Sequence, residues 1–458
     1  MNTSQLEPII LVTAHFAPET HAAMFRAFKV AKYLPAFGFR PIVVTTDTNY
    51  FYLEDPELLP QLPPETVIIR ARYVEPTVRG LRMLAGGEAR TTQMLHGKPA
   101  QGAPASKPPV SRSRPSPLRE ASLSAYRTLL RDWVQVPDRF NTWVGPAIEA
   151  CEKAVSEYGA RIIWTTATPF SCAQIGLAMK QRGLRWICDF RDPLPYGRRF
   201  ISENPRVARI QTEIVRDAVY AADAVTCISS VHPLILQDAF DGARLRPTHH
   251  IPTGVDEAYL PATRPVRDLA NPCVVYVGEF IADYATSFFD LFAEAARRLD
   301  ADGRHLTMKV IGAHIINLPR LEPLLQARGL SDRVQFVDHI PQSDLYRLLV
   351  AADAALLIPG TNSHWWTSFA KMNDYIGLGV QVLADVPNPS EARKELDLAG
   401  LGHFLDGTPD QRLEVFLRAL REEREATPEQ VAYRARYLSG RQVGDLARLF
   451  RSVLDAPN

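Results

Sequence analysis

An acidic, proline-broken turn follows an apolar stretch that has the pattern of a buried strand: Ile187 to Gly197 reads ICDFRDPLPYG. The turn carries Asp189, Arg191 and Asp192, and Pro193 disfavours helical backbone at the residue before it. Carboxylates can hold ligand hydroxyl groups, and an arginine can bind a phosphate or carboxylate in fork geometry. We predict a catalytic turn that contacts ligand. The alternative is that these side chains pair with one another and cap the next helix.

Two other loops follow predicted strands and would reach the same edge of a parallel sheet. The loop APETHAAMFRA contains Glu19, Thr20, His21 and Arg26, which could contact an acceptor or a phosphate, and His21 is also a catalytic candidate. The loop TTATPFS contains Thr168. Two observations favour a plainer interpretation of the first loop: an isolated histidine is usually a surface residue, and the loop lacks the glycines that allow close approach of a phosphate.

A short helix in the second half of the chain, predicted to begin near Ser368, forms a separate candidate site. Its first turn would offer unpaired N–H groups and about half a positive charge to an anion, and Lys371 adds a full charge. Lys371 and Asp374 are three residues apart, so they share one face of the helix. The lysine could meet phosphate while the aspartate accepts hydrogen bonds from a diol. An ordinary amphipathic helix with both side chains in water is the alternative.

Composition narrows the class of protein. With 458 residues the chain is long enough for two hydrophobic cores, and 52 Lys and Arg against 51 Asp and Glu produce no overall field that would attract nucleic acid. Five cysteines without a C-x-x-C pair predict reduced thiols, and the N-terminus lacks the pattern of a signal peptide. We therefore expect a cytoplasmic protein; the oligomeric state is open.

Several chemistries are disfavoured because their motifs are absent. The chain contains no G-x-x-x-x-G-K-[ST], G-x-G-x-x-G, G-x-S-x-G or H-E-x-x-H sequence, and its histidines are not set at metal-ligand spacings. P-loop kinases, dehydrogenases with the dinucleotide fingerprint, serine hydrolases and zinc enzymes are thus disfavoured. We expect neither a bound metal nor a cofactor.

Short β-branched segments alternate with amphipathic ones along the chain, which is the pattern of parallel sheets covered by helices on both faces. The predicted strands are 8–13, 41–46, 66–71, 161–166, 185–190, 224–229 and 249–254, then 273–278, 307–312, 334–340, 354–359 and 380–385. A proline-containing stretch separates the two series. The predicted organisation is therefore a domain at 1–258, a linker at 259–272 and a domain at 273–440, followed by a C-terminal helix at 441–458.

Residues 86–119 interrupt the first series with six prolines among Ser, Ala and Gly, a composition that forms no core. The segment is basic, and each cation near an anionic bilayer could add about 1 kcal/mol. Its basic residues are Arg90, Lys98, Lys107, Arg112, Arg114 and Arg119, against Glu88. A solvated insertion is favoured because no aromatic residue is present to anchor it; weak peripheral contact with the inner face of a membrane is the alternative.

Over nearly its whole length the chain resembles the family 4 (group 1) glycosyltransferases of GT-B architecture. The resemblance is carried by the order and spacing of HFAPETHAAMFRAFKVAKYLPAFGFRPIVVTTD, PDRFNTWVGPAIEA, IIWTTATPFSCAQIGLAMK, RWICDFRDP, VTCISSVHPL, IPTGVDEAYL and SFAKMNDYIGLGVQVLAD. It implies two doubly wound Rossmann-like domains that face each other across a cleft, with the C-terminal helix returning to the first domain. It also implies retaining, metal-independent transfer from a nucleotide-diphosphate sugar to a glycan, lipid-linked or small-molecule acceptor, often in polysaccharide assembly.

In this resemblance Lys371 occupies the motif lysine position and Asp374 the motif glutamate position, so both are implied to bind the nucleotide part of the donor. Two positions depart from the pattern. Trp366 stands where family members have an acidic residue that contacts the sugar, and Glu279 follows Gly278 where a cation is common. A glutamate 4 Å from a phosphate would cost about 4 kcal/mol at an effective dielectric near 20.

These departures leave three alternatives open at the diphosphate. The Glu279 side chain points away from the diphosphate, or a basic residue such as His314 compensates its negative charge, or the protein binds the diphosphate poorly. For His314 itself, a loop residue without a binding role is the simpler interpretation. Two other functions also remain open: a GT-B binding or scaffolding subunit without transferase activity, and a GT-B sugar-nucleotide epimerase.

Overall fold

The computed structural model describes residues 6–20, 23–47, 53–77, 80, 93–94, 124–196, 201–263, 265, 268, 270–278, 280, 282–312, 318–338, 340–358, 365–421 and 425–457. The chain divides into two compact units. Unit 1 comprises Met1–Ile228, His232–Ile251 and Val443–Asn458, and unit 2 comprises Ser229–Val231 and Pro252–Gln442. Apart from 93–94, the predicted insertion at 86–119 lies outside the described residues.

The first boundary falls at Ile251 rather than at Ala258, because the chain after it is hydrogen-bonded into unit 2. The Val255 N–H donates to the Tyr437 carbonyl over 2.7 Å, and the Ser439 N–H donates to the Val255 carbonyl over 2.9 Å. A backbone paired in this way belongs to the unit that supplies its partners.

Unit 1 is built on a seven-stranded sheet in the order β4-β2-β1-β6-β7-β8-β9, in which every neighbouring pair is parallel. A separate pair joins β3 to β5. The strands of this unit are β1 (Glu7–Val12), β2 (Phe39–Thr46), β3 (Leu53–Glu54), β4 (Val67–Ala71), β5 (Gln93–Met94), β6 (Ile162–Ala167), β7 (Arg185–Phe190), β8 (Ala224–Cys227) and β9 (Thr248–His250).

Helices of unit 1 begin and end at residues that are common at helix termini. Asn204 caps one helix by accepting from the N–H groups of Arg206 and Val207, and Pro205 takes the first helical position. Gly159 ends another with φ of 72°, in the left-handed region that favours glycine. The helices with defined bounds are α1 (Met24–Tyr33), α2 (Val144–Tyr158), α3 (Phe170–Gln181), α4 (Pro205–Ala221) and α5 (His232–Ala239), and residues 124–129 are also α-helical.

Both faces of this sheet are buried, which explains why its strands are continuously apolar. Alternate side chains of β1 point to opposite faces, so Ile10 and Val12 enter one apolar cluster and Ile9 and Leu11 enter the other. The second cluster also contains five residues of the C-terminal helix at helical spacing: Val443, Leu446, Ala447, Phe450 and Val453. The last turns of the chain therefore complete the core of unit 1.

Unit 2 repeats the arrangement with a six-stranded parallel sheet in the order β12-β11-β10-β13-β14-β15. Its strands are β10 (Cys273–Val277), β11 (Thr307–Ile311), β12 (Val334–Val337), β13 (Ala354–Leu357), β14 (Val382–Ala384) and β15 (Gly402–Phe404). The remaining helices are α6 (Ala282–Ala301), α7 (Leu318–Gln326), α8 (Gln342–Ala351), α9 (Ala370–Leu378), α10 (Glu391–Leu398), α11 (Pro409–Arg421), α12 (Pro428–Ala435) and α13 (Ser439–Asp455).

The predicted fold class, two Rossmann-like α/β domains, is confirmed. All twelve predicted strands are present, and the sequence prediction missed three short ones: the two-residue strands β3 and β5, and β15, whose three residues GHF begin with glycine and give no apolar run. The five cysteines are free thiols, four of them buried. Within the described residues, no helix combines the length and apolar character that crossing a membrane requires.

Close packing of α3 against the sheet generates a stability prediction. A Cβ atom on Gly176 would lie 2.2 Å from Nε1 of Trp186, which is completely buried, so we expect Gly176→Ala to lower the free energy of unfolding by about 1–3 kcal/mol. A Cβ on Gly145 in α2 meets nothing within 4 Å, so Gly145→Ala should be neutral or raise that energy by up to about 1 kcal/mol. Urea unfolding followed by tryptophan fluorescence measures both, and equal effects of the two substitutions would contradict the packing.

Candidate functional site

Asp189, the first acidic residue of the DFRDP turn, lies in the interior of unit 1. It occupies β7, is completely buried, and is paired in register with Thr166 of β6 and Thr226 of β8. Thr166 donates to Oδ2 over 2.8 Å, and Thr226 donates to Oδ1 over 2.6 Å. Arg26 of α1 donates to the same two oxygens from Nε and Nη2, over 2.8 and 2.6 Å.

Four donors therefore meet one buried carboxylate, and the pair with Arg26 is bidentate. This corrects the catalytic role predicted for Asp189 and the ligand contact predicted for Arg26. The alternative, in which Asp189 pairs with Arg191 of the same turn, is also wrong, because the cation that pairs with Asp189 is Arg26 of α1. The physical reason is strand alternation, which directs residue 189 to the same side of the sheet as Ile187, under α1.

Arg191 is half-buried and joins two strand-end loops. Its Nη1 donates to the Ala23 carbonyl over 2.8 Å, and its Nη2 donates to the Thr168 carbonyl. Its Nε is buried and has no hydrogen-bond acceptor among the described residues, and burial lowers the pKa of the guanidinium although the nearby charge of Asp192 opposes that shift. Two carbonyl groups therefore hold the side chain in place, and Asp192 supplies a nearby negative charge.

Asp192 and Thr168 meet at the same edge. The Thr168 hydroxyl donates to Asp192 Oδ2 over 2.6 Å, and Asp192 is half-buried. Ser171, in the first turn of α3, does not cap its helix; instead its N–H and hydroxyl donate to Asp138 over 2.9 and 2.7 Å. Burial raises the pKa of Asp138, and these hydrogen bonds oppose that shift.

The loop after β1 contains a buried histidine and glutamate pair that the sequence analysis did not identify. Nδ1 of His15 lies 2.8 Å from Glu19 Oε2, and both side chains are less than one-tenth exposed. This corrects the ligand contact predicted for Glu19, whose carboxylate points into the protein. Thr20 is half-buried, and its hydroxyl has no hydrogen-bond partner among the described residues. His21 lies outside the described residues.

Lys371 is the best-defined feature at the strand ends of unit 2. It is the second residue of α9, and its Nζ lies 3.8 Å from the ring centroid of Tyr276 in β10. A Cβ on Gly278 would lie 3.6 Å from the same Nζ. That distance is an ordinary contact, but Gly278 has φ of 103°, in the left-handed region, so the turn itself favours glycine.

The electrostatics of Lys371 differ from those of the other buried cations. Among the described residues, its ammonium has neither a carboxylate nor a hydrogen-bond acceptor, and the ring of Tyr276 supplies only a cation–π contact. Burial lowers the pKa of Lys371 to about 8. A positive charge held in this way is unfavourable until an anion approaches it.

Asp374 lies one helical turn beyond Lys371 but contacts a different element. Its Oδ1 accepts from the hydroxyl of Tyr346 over 3.4 Å, and Gln342 Nε2 donates to that hydroxyl over 2.8 Å. Tyr346 is completely buried, and burial raises its pKa, as does the nearby charge of Asp374. The Asp374 carboxylate is half-buried at the contact between α8 and α9.

The segment before α9 differs in detail from the prediction. The helix begins at Ala370 with Phe369 as its N-cap and has no side-chain cap, so Ser368 precedes it and does not start it. Trp366 is half-buried and packs edge-to-face on Trp365, with ring centroids 5.5 Å apart, and Trp365 is 42% exposed. Glu279 and His314 lie outside the described residues.

Comparisons by sequence identify no relative: no protein-family model matches the chain, and no curated protein matches it. Solved structures are similar over nearly its full length. Sucrose-phosphate synthase from Thermosynechococcus elongatus has a TM-score of 0.58 at 16% identity, covering 98% of this chain and 100% of that one. The α,α-trehalose 6-phosphate synthase from Burkholderia multivorans has a TM-score of 0.56 at 11% identity, covering 98% and 97%.

A protein provisionally named UDP-N-acetylglucosamine 2-epimerase from Listeria monocytogenes has a TM-score of 0.52 at 10% identity, covering 99% of this chain and 98% of that one. The chain therefore has the GT-B fold found among glycosyltransferases. Because the two synthases and the Listeria protein share this fold, the fold alone does not show which reaction a protein catalyses.

The buried network around Asp189 predicts a large stability effect. Asp189→Ala removes the buried carboxylate that pairs with Arg26 and accepts from Thr166 and Thr226, so we expect the free energy of unfolding to fall by about 3–5 kcal/mol. Asp192→Ala, at the half-buried position in the same turn, should cost about 1 kcal/mol. Denaturant unfolding distinguishes them. The double variant Arg26→Met/Asp189→Leu should recover most of the loss, and strictly additive losses would contradict a paired charge.

Proposed function

We propose that this protein is a glycosyltransferase that moves a sugar from a nucleotide-diphosphate sugar to a glycan, lipid-linked or small-molecule acceptor, with retention and without a metal. Unit 2 binds the donor and unit 1 presents the acceptor. The observation that supports this proposal most strongly is the half-buried ammonium of Lys371 beside Gly278, which has no acidic partner among the residues that the structure describes and lies at a helix start that no side chain caps.

A diphosphate would satisfy each part of that arrangement. The ammonium gains a counter-charge, and the first N–H groups of α9 gain acceptors while the helix dipole favours negative charge. Gly278 has no side chain, so its backbone is open to close approach by a phosphate oxygen beside Nζ. The motif position of Lys371 supports the same assignment from the sequence.

Other residues would complete donor and acceptor binding. Asp374 can accept from the ribose hydroxyls on the α8 side of α9. Trp366 takes the place of an acidic residue that would contact the sugar, so its ring would pack against the sugar instead of hydrogen-bonding to it. In unit 1, the acceptor would be held by Asp192 and Thr168, with Arg191 able to bind a negatively charged group.

The chemical step would depend on the leaving diphosphate. As the bond between the anomeric carbon and the phosphate oxygen breaks, negative charge increases on that oxygen. Lys371 and the N-terminal amides of α9 would stabilise this charge without any rearrangement, because the fold already holds them in position. Metal independence stays a prediction.

An epimerase of the same fold is the second candidate, and the similarity to the Listeria protein favours it. Incubation with each nucleotide sugar in the absence of acceptor distinguishes the two reactions. A transferase leaves the sugar configuration intact and forms product only with an acceptor, whereas an epimerase forms a second nucleotide sugar, visible by NMR, with no acceptor present. A scaffolding subunit would bind no nucleotide at all.

Nucleotide binding should depend on pH through Lys371. Its lowered pKa means that the free protein loses this charge as pH rises through about 8, so the affinity for UDP, GDP or ADP should fall by up to about tenfold per pH unit above that value. Lys371→Arg keeps its charge throughout, so its affinity should be flat over the same range. Calorimetric titration between about pH 7 and 9.5 measures both profiles.

Two further variants are the controls for that experiment. Lys371→Met should lower nucleotide affinity about tenfold to a hundredfold while leaving the free energy of unfolding unchanged or higher, because it removes a half-buried charge that has no acidic partner in the described part of the chain. Lys394→Ala removes an exposed lysine from α10 of the same unit and should change neither property. Unchanged affinity in Lys371→Met would refute the assignment of the donor site.

A further inference from the structure

Residues 124–134 of unit 1 expose a concentrated apolar surface. Residues 124–129 are α-helical and Leu130–Val134 continue as a π-helical turn. Leu129 is 56% exposed, Trp133 67% and Val134 43%, and Trp133 is the most exposed large apolar side chain in the described parts of the chain. Single exposed apolar residues are common on soluble proteins, but three within six positions indicate an interaction surface.

This segment is fixed to the body of unit 1. Asn141 Nδ2 donates to the Val134 carbonyl over 2.7 Å, and Arg206 Nη1 of α4 donates to the Asp132 carbonyl over 3.3 Å. The guanidinium of Arg206 also lies over the ring of Trp133, 5.0 Å from its centroid. The tryptophan is thus presented at a set position, with a cation against one face of its ring.

The exposed charges of this surface are mainly positive. Arg127 and Arg131 are exposed, while the acid of the segment, Asp132, is buried and accepts from Arg131 over 2.9 Å. Arg206 adds a third exposed cation, and Glu203 is the exposed acid near Arg131. Cations around an amphipathic aromatic ring complement a surface that is anionic outside and apolar beneath.

We propose that residues 124–134 are the surface through which unit 1 binds an anionic phospholipid membrane. Trp133 and Leu129 insert at the level of the headgroups, and Arg127, Arg131 and Arg206 contact lipid phosphates. Association with a second copy is disfavoured because two such surfaces would bring like charges together. This inference goes beyond the proposed function, and it places membrane contact on 124–134 instead of the basic insertion at 86–119.

Co-sedimentation of the full-length protein with vesicles tests the proposal. One set of vesicles contains phosphatidylcholine alone, and a second contains about one-third phosphatidylglycerol; the protein should bind the second set more tightly, and less so at high salt. Leu129→Ala/Trp133→Ala should lower partitioning about tenfold. Arg127→Gln and Arg131→Gln should each lower it about fivefold on anionic vesicles only.

Leu398→Ala and Val431→Ala are matched controls, since these exposed apolar residues of unit 2 (45% and 55%) should leave partitioning unchanged. Brominated lipids should quench tryptophan fluorescence in the wild type and in Trp365→Phe but not in Trp133→Phe, which separates insertion from surface attraction. Thermal unfolding checks that each variant is folded. Equal partitioning of the 124–134 variants and the wild type would overturn the proposal. A concentration-dependent dimer that Leu129→Ala/Trp133→Ala abolishes would also overturn the proposal, because the surface would then bind a second copy of the chain.

Discussion

A buried ion pair organises the strand ends of unit 1. The carboxylate of Asp189 receives Arg26 from α1 and the hydroxyls of Thr166 and Thr226 from the two neighbouring strands, so it ties three strand ends to one helix. With this carboxylate removed from water and fully hydrogen-bonded, the loops that follow β6 and β7 start from fixed positions. Arg191 and Asp192 then reach the loop at Thr168 from a rigid base.

The half-buried cation of unit 2, Lys371, has a different environment from Arg26 in unit 1. Arg26 has a bidentate carboxylate, whereas Lys371 has the ring of Tyr276 and no acidic partner in the part of the chain that the structure describes. The carboxylate compensates the buried charge of Arg26, whereas the charge of Lys371 stays unfavourable until an anion approaches it. This contrast is the physical basis for our proposal that unit 2 binds the donor.

Periodicity and motif order predicted the strands and the fold class because parallel strands buried on both faces must be apolar throughout. The same reasoning was less accurate for individual side chains. Asp189, Arg26 and Glu19 were predicted to contact ligand, and the structure places all three in the interior. The sequence did not identify their partners, which are Thr166, Thr226 and His15. An isolated polar residue near the end of a strand can lie either in the interior or at a surface that contacts ligand.

The sequence by itself determined where the strands run and that two parallel sheets form, because hydrophobic periodicity is a property of consecutive residues. It also placed Lys371 at the start of a helix. Only the tertiary structure decided which charges are paired: Asp189 meets a residue 163 positions away, while Lys371 meets the ring of Tyr276 from another strand and no carboxylate of the described residues. The cost of burying a charge depends on all of its neighbours in space, which one-dimensional order does not specify.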